Sequence, residues 1–155
     1  MAPVACPACG ETGPVVLRGP LELTIGTVAA VLERRPVVAC RTGHELPPAV
    51  ARTATEQAIE RAVARARQRR LRREACVDCG AALLMPVRRT VRPVSIEAPP
   101  LPVLTLQLDL PMTRCPDCGR DQVPSRSQAD LDAIAGALFA DDGCHTGHDA
   151  GPARG

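Results

Sequence analysis

Cys76-Val77-Asp78-Cys79-Gly80 and Cys115-Pro116-Asp117-Cys118-Gly119 decide how this chain is read. Two Cys-x-x-Cys pairs, each followed at once by glycine, are the spacing of two tight knuckles whose four thiolates converge on one tetrahedral ion. A turn that aims two sulfurs and several backbone N–H groups at one point needs a residue tolerant of positive φ, and Gly80 and Gly119 stand where it is needed. Pro116 presets φ for the same turn. The spacing predicts a structural metal site made of Cys76, Cys79, Cys115 and Cys118.

Working outward, Cys6-Pro7-Ala8-Cys9-Gly10 repeats the pattern near the N-terminus, and Cys40-Arg41-Thr42-Gly43-His44 supplies the other half of a second set. The predicted ligands there are Cys6, Cys9, Cys40 and His44. Cys6 and Cys9 recur 70 positions on as Cys76 and Cys79, and Cys40 recurs 75 positions on as Cys115. The half-sites are separated by 30 residues in the first copy and 35 in the second. One unit used twice, in the order knuckle, strands, knuckle, helix, predicts an internal duplication. The expected fold class is small α+β and metal-stabilised, with two duplicated zinc-ribbon units, each an antiparallel hairpin with two knuckles followed by an α-helix. The boundary falls near residue 75, giving units 1–74 and 75–140 and a loose tail, 141–155.

Composition favours metal as the source of stability. The chain has 155 residues and is 45% apolar, but it contains one Phe and no Trp or Tyr, so few side chains bury a large area each. Units below roughly 70–80 residues rarely stand on a hydrophobic core alone. The start of the sequence has no charged segment leading into an apolar one, which predicts a cytoplasmic protein. In that reducing compartment, paired cysteines at this spacing are metal ligands rather than disulfides. No apolar run approaches the roughly 18 residues of a membrane span. All 19 basic residues are Arg, which together with abundant Ala, Gly and Pro suggests a GC-rich, bacterial coding sequence; a net charge of +2 says little about partners.

Between the knuckles the alternation predicts strands. Val15–Arg18 and Leu21–Ile25 read as a hairpin turned at Gly19-Pro20, whereas 27–35 fits a short helical turn or a strand equally. A helix is expected over about 48–73, with Ile59, Ala62, Val63 and Ala66 on one face. Its end carries seven arginines between Arg61 and Arg73. If helical, Arg61, Arg65, Arg69 and Arg72 form one stripe able to track phosphates, although a solvated charged face is the commoner use of such a run. Strands are expected within 83–96 and 103–110, the latter alternating Leu104, Leu106, Leu108 and Leu110 with polar residues. A last helix is expected with Ser127 as its N-cap and Leu131, Ile134, Ala135 and Leu138 on its apolar face.

These knuckles and strands resemble the zinc-ribbon class over residues 4–46 and 75–121. The second copy is most similar to the YgiT-type zinc domain at the N-terminus of MqsA antitoxins. That resemblance implies zinc on Cys76, Cys79, Cys115 and Cys118 and a protein partner. Rubredoxins share Cys-x-x-Cys-Gly and Cys-Pro-x-Cys-Gly and would place iron on the same four sulfurs, but their cores are aromatic and residues 76–118 contain no Phe, Tyr or Trp.

The expected cofactor is Zn2+, two per chain, with Fe as the alternative at the second set. The tail sequence Cys144-His145-Thr146-Gly147-His148 echoes Cys40 to His44 and is a candidate extra metal half-site through Cys144, His145 and His148. No nucleophile elbow, phosphate loop or His-Glu-x-x-His helix occurs, so no enzyme is expected. The functional expectation is a zinc-binding module for a protein partner, or for nucleic acid through the arginine run. An iron electron carrier and a metal-handling protein or metalloenzyme using the tail are the alternatives.

Overall fold

Gly26, at φ 52°, gives the first half its chain reversal. A two-residue hairpin turn joining right-twisted strands needs a residue at positive φ, and Gly19 is not in that region. The hairpin predicted at Gly19-Pro20 is therefore not formed. Strands β3 (Val15–Arg18) and β4 (Leu21–Ile25) are instead successive segments of one arm, while β5 (Val28–Leu32) and β6 (Arg35–Ala39) form the returning arm. The register never slips along it: Val15 faces Val38 at the base, Leu21 faces Leu32, and Ile25 faces Val28 at the tip. The ambiguous 27–35 segment is thus largely strand.

The computed structural model describes residues 3–69, 73–84 and 87–140. Short strands β1 (Val4–Ala5) and β2 (Thr12–Gly13) pair across the first knuckle, and β7 (Glu45–Leu46) pairs with the end of β6. Helix α1 (Ala49–Ala62) follows, then β8 (Arg67–Gln68) paired with β9 (Glu74–Ala75). The second half repeats the long hairpin with β10 (Val87–Ile96) and β11 (Leu104–Arg114), in unbroken register from Val87 opposite Thr113 to Ile96 opposite Leu104. Strand β12 (Asp121–Gln122) pairs with the end of β11 as β7 does with β6, and α2 (Ser125–Leu138) closes the described chain. Both helices have 14 residues and begin directly after a proline, Pro48 and Pro124.

The outer part of the first hairpin, β4 and β5, joins the second hairpin in one sheet, while β3, β6 and β7 at its base form a separate one. The order of the shared sheet is β10-β11-β5-β4, joined where Leu106 to Asp109 pair with Leu32 to Ala29. One sheet face, carrying Val28, Ala30, Leu32, Val94, Ile96 and the alternating leucines of β11, is buried in a single core with both helices. Helix α1 packs on β10 and α2 on β4 and β5, so each helix covers the hairpin of the other half. The expected boundary near residue 75 therefore divides neither the sheet nor the core. Among the described residues, no helix is long and apolar enough to cross a membrane.

Two helix predictions need correcting. The helix expected over 48–73 ends at Ala62, because Val63 turns extended (φ −122°, ψ 113°) and is buried. The chain then exchanges backbone hydrogen bonds with Val123, from Ala66 N–H to its carbonyl and from its N–H to Ala64. Those sheet-like partners, together with burial of Ala66, outweigh continuation of a helix whose apolar face has run out and whose like charges repel. Ser127 is not the N-cap of α2. Pro124 holds that position, and the Glu74 carboxylate accepts the Ser125 N–H at 2.8 Å, giving the helix a cap from far away in sequence.

Ser127 is buried, its Oγ 2.8 Å from Thr27 Oγ1, beside Asp130, which accepts the Thr27 N–H and hydroxyl, each at 2.9 Å. The Thr27 N–H, then its hydroxyl, hold the Asp130 carboxyl below its usual range. A depressed carboxyl stabilises the fold above its unfolded pKa and loses that contribution as pH falls through the folded value. Asp130→Ala is accordingly expected to be less stable than wild type at pH 7, with the gap closing below about pH 4. Denaturation midpoints of both proteins across that range check this; a gap that widens on acidification contradicts it.

Candidate metal centres

The knuckles share one backbone frame. In each Cys-x-x-Cys-Gly turn, the first cysteine's N–H bonds the carbonyl five residues on, and the glycine N–H bonds back to the first cysteine's carbonyl. The six bonds, Cys6 to Glu11, Cys76 to Ala81, Cys115 to Arg120 and their glycine returns, span 2.7–3.0 Å. Gly10, Gly80 and Gly119 take φ 73°, 75° and 74°, so each local sequence closes the same way.

The fourth turn is one residue shorter. Cys40 N–H reaches the His44 carbonyl at 3.2 Å, and Gly43, at φ 85°, bonds back to Cys40 at 3.0 Å. Glycine arrives one position early, leaving no place for a second cysteine, and His44 behind it supplies the fourth donor.

Both predicted ligand sets come together. In each, the four ligand atoms lie within 4.8 Å of one another. Bonds of about 2.3 Å from a tetrahedral ion to sulfur imply sulfur–sulfur edges of about 3.8 Å, slightly less to nitrogen. Cys9 Sγ is 3.7 Å from Cys40 Sγ, and His44 Nδ1 is 3.5 Å from Cys40 Sγ and 3.9 Å from Cys6 Sγ. In the second set, Cys76 to Cys118 and Cys79 to Cys115 are both 3.5 Å. The seven described cysteines are all free thiols. Each set can hold one metal ion.

Thiolates are favoured at particular positions. A hydrogen bond from the Thr42 hydroxyl, with the His44 and Thr42 backbone N–H groups, draws Cys40 down to about 6 against the cost of burial. The Cys79 backbone N–H draws Cys76 down to about 6. A partner of each moves the other way: burial raises Cys6, and, against the Arg120 N–H, hydrogen bonding with Cys76 together with burial pushes Cys118 up to about 12, so an ion must displace the protons that remain in each set. Two arginines lie against the knuckle glycines of the second set: Nη2 of Arg69 is 3.1 Å from where a Cβ would stand on Gly80, and Nη2 of Arg114 is 3.5 Å from the same point on Gly119. Four thiolates with a dication would carry a net −2 charge, which guanidiniums so placed would offset.

Thr42 is the residue that sequence reasoning missed. Its Oγ1 is 2.9 Å from Cys40 Sγ, 3.1 Å from His44 Nδ1 and 3.5 Å from Cys9 Sγ. The only signal was a hydroxyl residue before the early glycine of a shortened knuckle. Thr42→Val is expected to weaken metal binding at the first set about tenfold while sparing the second, as outer-shell losses do, and Thr42→Ser to restore it. Competition with a chromophoric chelator measures both sets in one chain; equal loss at the two sets would contradict the assignment.

The predicted arginine stripe is not formed. Arg61 lies in the last turn of α1, Arg65 bridges to Val123 and ion-pairs with Asp132, and Arg69 lies beyond β8. Arg72, Cys144, His145 and His148 lie outside the described residues. No protein family, curated protein or solved structure matches the chain.

Proposed function

We propose that the chain is a cytoplasmic, non-enzymatic module that binds two zinc ions through tandem, duplicated zinc ribbons and engages a protein partner. The observation carrying this is the closure of both ligand sets: four side-chain donors each, at tetrahedral spacing. A catalytic zinc keeps one position open for water or substrate beside a general base, and neither set leaves one. Duplication is supported by two unbroken hairpins strung between matched knuckles and by two 14-residue helices that each follow a proline.

Zinc is favoured over iron because one set of three cysteines with a histidine and one set of four cysteines are built on one backbone frame, and zinc accepts both. The likeness of the second half to the zinc domain of MqsA antitoxins points toward a protein partner. Metal analysis tests the reading directly: two zinc ions per chain are expected, and visible iron bands or a single metal would overturn it.

Charge pairing favours protein over nucleic acid. Arg65, Arg88, Arg89 and Arg120 are each engaged by an aspartate. Three or four phosphate contacts would give a log–log salt slope of about −3 to −4 on duplex DNA. The expected slope is shallower than about −1, unchanged by replacing Arg61 and Arg69 with Gln. A steep slope that those replacements flatten would transfer the function to nucleic acid.

A further inference from the structure

The two halves differ behind their metal centres. In the first, Val4, Val38 and Leu46 pack with Cys6 and Cys40 in a small apolar cluster. Val4 stands two residues before Cys6 and Val38 two before Cys40, with Val38 paired to Leu46. The corresponding residues of the second half are Glu74, Thr113 and Gln122, with Thr113 paired to Gln122 in the same way. All three hydrocarbon side chains are polar there. Thr113 and Gln122 remain buried, at 1% and 0% exposure.

Structural duties account for only part of this. The Glu74 carboxylate caps α2, and Gln122 Oε1 accepts the Val77 N–H of the knuckle at 2.7 Å. Among the described residues, Thr113 Oγ1, Gln122 Nε2 and Ser125 Oγ have no hydrogen-bond partner. Buried polar groups are almost always paired, so unpaired ones call for an explanation. Thr113 lines a cleft of about 550 Å³ together with Arg73, Arg126, Glu74, Leu83 and Leu84. Leu84 is 68% exposed there.

We propose that this cleft binds a small aliphatic carboxylate, either a free acid or the carboxy-terminal residue of a peptide. Arg73 and Arg126 give the lining two cationic residues against one acidic residue, Glu74, whose carboxylate is already engaged at the start of α2. A carboxylate is acceptor-only and matches the guanidinium fork, and it satisfies the Thr113 hydroxyl. Leu83 and Leu84 supply an apolar wall for the aliphatic body. The first half has Val38 and Val50 in place of Thr113 and Arg126, and so lacks the corresponding donors.

Isotope-labelled, metal-loaded full-length protein titrated with isovalerate, with acetyl-Ala-Leu and with the amide of that peptide tests the proposal. One or both carboxylates should saturate shifts at Leu83, Thr113 and Arg126 below about 10 mM, with the amide at least about tenfold weaker. Saturation by the peptide acid alone assigns the site to chain termini, and by isovalerate as well to the carboxylate in general. Thr113→Val, which installs the residue of the first half, should weaken binding about tenfold while the melting temperature holds or rises. Arg126→Gln, on the surface, should weaken it similarly without touching the core. Equal binding of acid and amide, no saturation by either acid, or unchanged binding in both variants would overturn the proposal.

Discussion

Excess chelator is expected to unfold the whole chain in one cooperative step rather than one half at a time. Structural zinc contributes roughly 10–16 kcal/mol of apparent binding free energy in small finger peptides, whereas a folded domain is stable by only about 5–15 kcal/mol net. Losing even one ion is therefore comparable with the entire margin. The knuckles also fix the bases of both hairpins, and those hairpins meet at the β5–β11 seam. Cys115→Ser, which leaves three sulfurs at the second set, is expected to lower a single shared transition for the same reason. Metal content with amide exchange read at Ala30, paired with Leu23 inside the first hairpin, and at Leu106, paired with Val94 inside the second, checks both. Full protection at Ala30 in a Cys115→Ser protein that has lost protection at Leu106 would mean the halves fold independently.

The ligands were legible because their information is local. A knuckle is written in five consecutive residues, and the glycine at its end fixes the backbone without help from elsewhere. The leucine alternation from Leu104 to Leu110 likewise shows a strand with one buried face. What covers that face was not legible, since α1 and α2 cross between halves and nothing in two similar knuckle sets says whether like packs with like. The same non-local contacts set the boundaries that local pattern misplaced. The extended turn at Val63 and the run to Gln68 depend on Val123 and Glu74, and the α2 cap depends on a carboxylate 51 residues upstream. Val28–Leu32 resolves as strand because β4 and β11 flank it on both sides.

Leu106→Ala is expected to destabilise both halves by about 3–5 kcal/mol, within the range for leucine truncations that leave a cavity in a rigid core. Leu106 is 0% exposed and sits between Val94 on β10 and Leu32 on β5, so its side chain fills the sheet at the seam itself. With one Phe in the chain and no Trp or Tyr, no large neighbour is positioned to collapse into the space. The denaturation midpoint should fall with an unchanged slope, the sign of lost stability without a change of cooperative unit. Thr105→Ala, on the opposite face of the same strand, is half-buried and should change stability by no more than about 0.5 kcal/mol. Release of metal to a chelator should accelerate at both sets in Leu106→Ala, because opening the shared core frees the base of each hairpin. Faster release from Cys76, Cys79, Cys115 and Cys118 with no change at Cys6, Cys9, Cys40 and His44 would show that the seam does not couple the two centres.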